Sequence, residues 1–88
     1  MISCATMPTI AGVPGPYRLY FYSFDCNERP QVHVRRDQCG CKFWLDGIEL
    51  ARNSGLSSRE LSRIRTTIFQ YRITILEAWR EHCGNPGE

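Results

Sequence analysis

The chain has 88 residues, 42% of them hydrophobic and 23% charged, which suits one globular domain with its own core and excludes wholesale disorder. The net charge of +2 is low for a dedicated nucleic-acid binder. No run of about 18 apolar residues and no signal-peptide pattern occurs, so we expect a cytoplasmic protein with no membrane partner.

The N-terminal part of the chain changes character at residue 17. Residues 1–16 are rich in proline and glycine, which predicts an irregular arm, and Met7 is an alternative start position. The aromatic, alternating run that follows predicts a first strand. We therefore expect a single α+β domain over residues 17–83, with residues 84–88 as a C-terminal tail.

The predicted second strand, residues 31–36, carries the clearest functional pattern. Two valines alternate with Gln31, His33 and Arg35, which is typical of a half-buried strand with one polar face. An amide, an imidazole and a guanidinium then lie on the same side. We expect these three residues, with Arg36 beside them, to form a binding face.

The predicted third strand, residues 41–45, adds an aromatic residue to this face. Its apolar positions alternate with Lys42 and Trp44, which should point outward. Trp44 is either covered by a helix or by the N-terminal arm, or it forms an exposed aromatic platform beside His33. Both alternatives are open from the sequence.

Short turns between the three strands predict an antiparallel meander. Residues 48–51 are either a short fourth strand or a helical turn, and residues 52–55 are expected to be a loop. We therefore predict an α+β fold, in which a three- to four-stranded sheet packs against a long C-terminal helix.

The signals for that helix are strong at both ends. Ser57 and Glu60 match a capping box, and Gly84 before Asn85-Pro86 is typical of a helix stop, so a helix is predicted over residues 58–83. Arg65 and Arg72 project within its apolar face. Either the helix breaks near residue 71, or the arginines meet carboxylates or a partner; without glycine or proline there, the sequence favours continuity.

The apolar face of the predicted helix is unusually wide. It spans roughly 200° at 100° per residue, whereas packing on one sheet needs a stripe a little over 100° wide. A homodimer through this helix would bury the surplus. The equal alternative is that Ile10, Val13 and Pro14 of the arm cover it.

The number and spacing of the cysteines predict free thiols. Five of them, at positions 4, 26, 39, 41 and 83, make an odd number, and we expect them to be reduced in a cytoplasmic protein. A zinc site from Cys39, Cys41, His33 and His82 lacks the usual ligand spacing. We therefore predict no metal and no cofactor.

The chemistry of the residues leaves two functional classes open. A binding module would dock a partner protein or RNA through the face of Gln31, His33, Arg35, Arg36 and Trp44. A small metal-free ribonuclease would use His33 as general acid or base, with Arg35 and Arg36 holding phosphate. No nucleophile elbow or phosphate-binding glycine loop is present, so we favour the binding module.

Short motifs along the chain also resemble one bacterial family. They are Met7-Pro8-Thr9-Ile10, Tyr20-Phe21-Tyr22, Pro30-Gln31-Val32-His33-Val34, Phe43-Trp44-Leu45-Asp46 and Leu76-Glu77-Ala78-Trp79. In order and spacing they are similar to the small bacterial domain of unknown function 4160, over Met7 to Cys83.

Members of that family usually read Pro-Pro-His-x-His-Val at the second strand. Here Arg29 replaces the first proline and Gln31 the first histidine, while Pro30 and His33 match the second of each. Two imidazoles two positions apart would suit shared metal binding or acid–base pairing. Because only His33 is kept, we expect any such two-histidine chemistry to be weakened or lost.

The resemblance implies a bacterial or phage-borne cytoplasmic protein, often encoded beside a second small protein and for that reason linked with toxin–antitoxin modules. The expected partner is then a protein from the adjacent gene, with RNA as the other candidate. No established activity follows from the resemblance.

Overall fold

A computed structural model describes residues 10, 12–13 and 15–84. Its elements, in chain order, are β1 (Arg18–Tyr20), a 3₁₀ helix (Ser23–Asn27), β2 (Gln31–Arg36), β3 (Cys39–Trp44), β4 (Glu49–Ser54), α1 (Ser58–Gln70) and α2 (Arg72–Cys83). The predictions about Met7–Thr9, Cys4, Pro14 and the tail after Gly84 lie outside the described residues.

The four strands form one antiparallel sheet in the order β1-β2-β3-β4. This confirms the α+β meander predicted from the sequence. The expected loop over residues 52–55 is wrong for its first three residues, because Arg52 pairs with Lys42 and Asn53 with Cys41. The polar composition that resembled a loop belongs to an edge strand, all of whose residues are exposed.

The core lies between the sheet and the two helices. Its members are all below 8% exposed and come from every strand except β4: Ile10, Leu19, Phe21, Val32, Val34, Cys41, Phe43, Leu45, Leu56, Ile64, Ile68, Ile75 and Trp79. The valines of β2 point inward as their alternation predicts, so the opposite face of the sheet is free to carry polar chemistry.

The helical region is interrupted at Tyr71. The preference for one continuous helix is therefore wrong, and the alternative of a break near residue 71 is confirmed. Tyr71 has φ −105° and ψ 24°, yet its N–H still donates to Thr67 O at 2.9 Å. A straight helix over residues 58–83 would measure about 39 Å, whereas a six-residue strand measures about 20 Å. The break at Tyr71 therefore lets both helices pack on one small core.

Ser57 caps α1 as the sequence predicts, since its Oγ accepts the N–H of Glu60 at 3.2 Å. The Glu60 carboxylate turns to Arg36 instead of the cap. The Nε atom of Arg36 donates to Oε1 at 2.6 Å and its Nη2 to Oε2 at 3.0 Å. This bidentate pair joins the end of β2 to the first turn of α1.

The N-terminal arm contributes to the core. Ile10 is buried, and its N–H donates to Leu19 O at 2.8 Å, while Val13 packs against the buried cluster. Phe69 and Ile73 remain 61% and 60% exposed. The arm thus adds Ile10 and Val13 to the core, whereas part of the helical apolar face stays open at Phe69 and Ile73.

Two of the cysteines expected to be free form a disulfide. Cys26 and Cys83 are joined across a separation of 57 residues, so the free-thiol prediction is wrong for this pair, whereas Cys39 and Cys41 are free. The sequence does not reveal the pairing, because only the tertiary fold returns the end of α2 to the 3₁₀ helix. Neither described helix is sufficiently long and apolar to cross a membrane.

Candidate functional site

A straight row of functional side chains crosses the outer face of the sheet. Tyr20 pairs with His33, His33 with Lys42, and Lys42 with Arg52 in the registers of the three antiparallel pairs. Residues directly opposite one another in such pairs point to the same face. Each strand therefore contributes one member of the row.

A cavity of about 260 Å³ opens beside this row. Arg35 lies opposite Gly40 in the register, and because Gly40 has no side chain, the surface between β2 and β3 is left open there. The cavity is lined by Tyr20, Tyr22, His33, Val34, Arg35, Gln38, Cys39, Gly40, Cys41, Lys42, Arg52 and Ser54. We call these residues the outer pocket.

His33 is held by a buried carboxylate. The Nε2 atom of His33 lies 3.0 Å from Oδ2 of Asp25, a residue of the 3₁₀ helix that is only 2% exposed. The same Oδ2 accepts the N–H of Tyr22 at 2.8 Å, which fixes the carboxylate in position. If the carboxylate accepts the Nε2 proton, the Nδ1 atom of neutral His33 keeps its lone pair.

Two tyrosines orient the imidazole further. The ring of Tyr20 stacks on His33 with centroids 5.4 Å apart, and the ring of Tyr22 meets it edge-on at 4.7 Å. Burial, together with the hydrogen bond and the proximity of Tyr22, raises the pKa of Tyr20 to about 12, so its phenol stays neutral. Together, Tyr20, Tyr22 and Asp25 fix the ring of His33 in one orientation.

Burial also lowers the pKa of His33 below its usual value, and the charges of Lys42 and Arg52 act in the same direction. The nearby Asp25 opposes this shift without reversing it. The imidazole is therefore neutral at pH 7. A neutral, oriented imidazole can accept a proton, which is the requirement for a general base.

The pocket cations lack carboxylate partners among the described residues. Arg35 donates its Nε–H to the backbone carbonyl of Asp37 at 3.1 Å, and Lys42 places its Nζ 4.6 Å from the ring centre of Trp44. Arg52 forms no ion pair with any residue that the structure describes. By contrast, Arg29 pairs with Asp46 at 2.6 Å outside the pocket.

Three residues predicted for the binding face, Gln31, Arg36 and Trp44, do not line the outer pocket. Arg36 follows Arg35 directly and so points to the other side, where Glu60 holds it. Gln31 lies opposite Trp44 but is 1% exposed, because its amide donates to Oε1 of Glu28 at 2.9 Å. Gln31 shares the face of His33 but is buried there, so it is not available to a ligand.

Trp44 fits neither of its two expected environments. It is half-buried, and the cations that cover it are Arg29, 4.5 Å from the ring centre, and Lys42. Such contacts are worth about 0.5–1 kcal/mol at exposed sites, so they order the ring without removing it from the surface. Trp44 therefore stays partly accessible on the same face of β3 as Lys42.

The members of the site that the sequence did not predict include Tyr20, Arg52 and Asp25. Tyr20 was recognisable in principle, since a meander with short turns brings the first strand against the second. Arg52 was hidden by the loop-like composition of β4. Asp25 lies in the connection between the first two strands, and no sequence signal indicates that this connection folds its carboxylate back to His33.

The described residues provide one cluster with metal-ligand chemistry, and it lies outside the pocket. Its members are Cys26, His82 and Cys83. The combination of Cys39, Cys41, His33 and His82 considered from the sequence does not form such a cluster.

Comparison with known families decides where the chain belongs. Residues 17–80 match the family described as Domain of unknown function (DUF4160), a span that includes all four strands and every residue of the outer pocket. The chain belongs to the DUF4160 family. No curated protein and no solved structure matches it. The match begins after the Met7-Pro8-Thr9-Ile10 motif, so this DUF4160 domain is identified by its sheet and helices.

Proposed function

We propose that this DUF4160 protein is a binding module that holds single-stranded RNA by its phosphates in the outer pocket. The observation that carries the proposal is the convergence of Arg35, Lys42 and Arg52 on one cavity without a carboxylate partner among the described residues. Uncompensated cations at a concave surface attract a polyanion and raise its local concentration.

The dimensions of the pocket favour part of a polymer over a free metabolite. Its volume of about 260 Å³ lies below the roughly 300–1,000 Å³ that is usual for small-molecule sites. The cationic part would hold one phosphate with its sugar, and the partly exposed ring of Tyr22, which lines the pocket, would supply a surface for a base. This supports a strand that crosses the sheet.

Fluorescence anisotropy with a labelled single-stranded RNA at several salt concentrations tests the proposal. The double variant Lys42→Gln/Arg52→Gln should bind the RNA more weakly. The slope of log K, the binding constant, against log salt concentration should become shallower by about 0.7 for each cation removed. Arg63→Gln, which neutralises an exposed arginine of α1, is the matched control. Equal weakening in the control, or no binding by the wild type at low salt, would refute the proposal.

A second candidate is a metal-free ribonuclease, favoured specifically by the contact between Asp25 and His33. Neutral His33 would accept the proton of a ribose 2′-hydroxyl through Nδ1, and that oxygen would attack the adjacent phosphorus. The bond from phosphorus to the 5′-oxygen of the next nucleotide would break, and the leaving oxygen would take a proton from water. Arg35, Lys42 and Arg52 would stabilise the charge that develops on the phosphate. Arg36, which the sequence places in this role with Arg35, is held by Glu60 instead.

Incubation with labelled RNA separates the two candidates. An enzyme would release a fragment ending in a cyclic phosphate, would fail on RNA carrying a 2′-deoxyribose at the cleavage position, and would lose activity in His33→Gln. A binding module would retain intact RNA in all three experiments.

The resemblance to DUF4160 proteins adds a wider proposal, that the module works in a toxin–antitoxin-like pair with the product of an adjacent gene. Support comes from the family resemblance alone. Co-purification of the tagged chain with the product of the neighbouring reading frame would support a direct complex. The complex should be lost when the two proteins are expressed separately and mixed at high salt.

A further inference from the structure

A second cluster of reactive side chains lies where α2 ends against the 3₁₀ helix. One ligand atom from each of Cys26, His82 and Cys83 lies within 4.8 Å of the other two, and all three residues are half-buried. The two sulfurs form the disulfide in this structure. None of these groups takes part in the outer pocket.

The imidazole of His82 is oriented as a ligand. Its Nε2 lies 3.1 Å from the backbone carbonyl oxygen of Tyr22, and because a carbonyl only accepts, Nε2 carries the proton. The lone pair is then on Nδ1. Metal-binding histidines typically donate their other N–H to a backbone carbonyl or carboxylate in this way. The ring of Phe21 stacks on the imidazole at 5.5 Å and limits its rotation.

We propose that the reduced protein binds a zinc ion through Cys26, Cys83 and His82, so that the disulfide and the metal are alternative occupants of one locus. A dithiol reductant supplies two electrons and two protons to the disulfide and is itself oxidised to a disulfide. Zinc then displaces the two thiol protons, and three protein ligands leave a fourth tetrahedral position for water.

This locus is linked to the outer pocket through the backbone of one residue, Tyr22. Tyr22 donates its N–H to Asp25 Oδ2, and its carbonyl accepts from His82. Cys26 also directly follows Asp25 in the 3₁₀ helix. Exchange of the disulfide for zinc should therefore be detected at His33, the partner of Asp25.

Titration of the phosphine-reduced protein with cobalt(II), as a probe of the zinc site, tests the proposal. We expect one cobalt per chain, with thiolate charge-transfer bands in the near ultraviolet and the visible bands of a tetrahedral site. Zinc should displace the cobalt stoichiometrically. Reduced Cys39→Ser, which alters a free cysteine on β3, should give the same spectrum and stoichiometry.

The variants Cys26→Ser and Cys83→Ser should lose the bands, and His82→Gln should bind zinc at least tenfold more weakly. Circular dichroism of each variant checks that it is folded, and the imidazole NMR signals of His33 should shift on zinc addition in the wild type only. Unchanged cobalt bands in folded Cys26→Ser, or no thiolate bands in the reduced wild type, would overturn the proposal.

Discussion

The Oδ2 atom of Asp25 lies 3.0 Å from Nε2 of His33, although Asp25 belongs to a 3₁₀ helix outside the sheet and is itself 2% exposed. The contact orients the histidine of the outer pocket and supplies the negative charge nearest to it. Asp25 raises the pKa of His33, against the larger effect of burial. The titration of His33 is therefore a direct measure of this contact.

The variant Asp25→Asn should lower the pKa of His33 further, because it removes the carboxylate that favours the charged imidazole. NMR titration of the imidazole protons measures the change. Asp46→Asn, at an exposed pair with Arg29, is the matched control and should leave His33 unaffected. A pKa of His33 that rises in Asp25→Asn would contradict the assigned contact.

The unfolding free energy should depend on pH through His33. The folded-state pKa lies below the usual 6.5, so this contribution is complete above pH 6.5. As the pH falls below 6.5, the unfolded chain binds a proton that the folded chain resists. Stability should then fall, by at most about 1.4 kcal/mol per pH unit, until the pH passes the folded-state pKa.

Urea denaturation between pH 5 and pH 8 measures this dependence. The slope of the unfolding free energy against pH should be reduced in His33→Gln, because glutamine cannot titrate. The variant His82→Gln should keep the part of this slope that comes from His33. Parallel curves for the wild type and His33→Gln would show that the pKa of His33 is the same in the folded and unfolded chains.

The pair of Arg36 and Glu60 should contribute to stability at neutral pH and lose its effect in acid. The hydrogen bond from Arg36 lowers the pKa of Glu60, so the contribution is complete above pH 4.5 and is lost as the pH falls through the lowered value. Glu60→Gln should be less stable at pH 7 and less sensitive to acid.

Thermal denaturation at pH 7 and at pH 3 measures the effect of Glu60→Gln. Glu77→Gln, on the exposed side of α2, is the control and should change little at either pH. A loss of stability that is the same at both pH values would point to packing of the side chain instead of its charge.

Gly55→Ala should destabilise the protein by about 1–2 kcal/mol, because Gly55 has φ +90°, where a side chain is strained. The added Cβ would also lie 2.9 Å from Sγ of Cys39. The double variant Gly55→Ala/Cys39→Ala should recover part of the loss by removing that sulfur, but not the part due to the backbone. Equal stability of Gly55→Ala and wild type in urea would contradict this account.

The homodimer predicted from the width of the helical face remains a prediction, and Phe69 with Ile73 is the exposed surface on which it would form. Sedimentation should show a mass that rises above 10.2 kDa with increasing micromolar concentration. Phe69→Ser/Ile73→Ser should reduce this association. A wild-type chain that stays at 10.2 kDa throughout would exclude the dimer.

The local patterns of this sequence were sufficient to place its first three strands, the start of its helical region and one face of its sheet. Alternation placed Val32 and Val34 in the core and His33 and Arg35 on the outer side, because successive side chains of a strand point to opposite faces. Ser57 marked the start of α1 through its oxygen, a contact made within one helical turn. These features depend on neighbours in the chain.

Only the tertiary structure determined which distant groups meet. The carboxylate of Asp25 under His33, the disulfide from Cys26 to Cys83 and the pairing of Arg36 with Glu60 all join segments whose relative positions depend on packing. The break at Tyr71 also has this origin, because no local residue requires it and the small sheet cannot support a straight helix of that length. Secondary-structure propensity depends on a few neighbouring residues, whereas the burial of a shared core depends on how the whole chain packs.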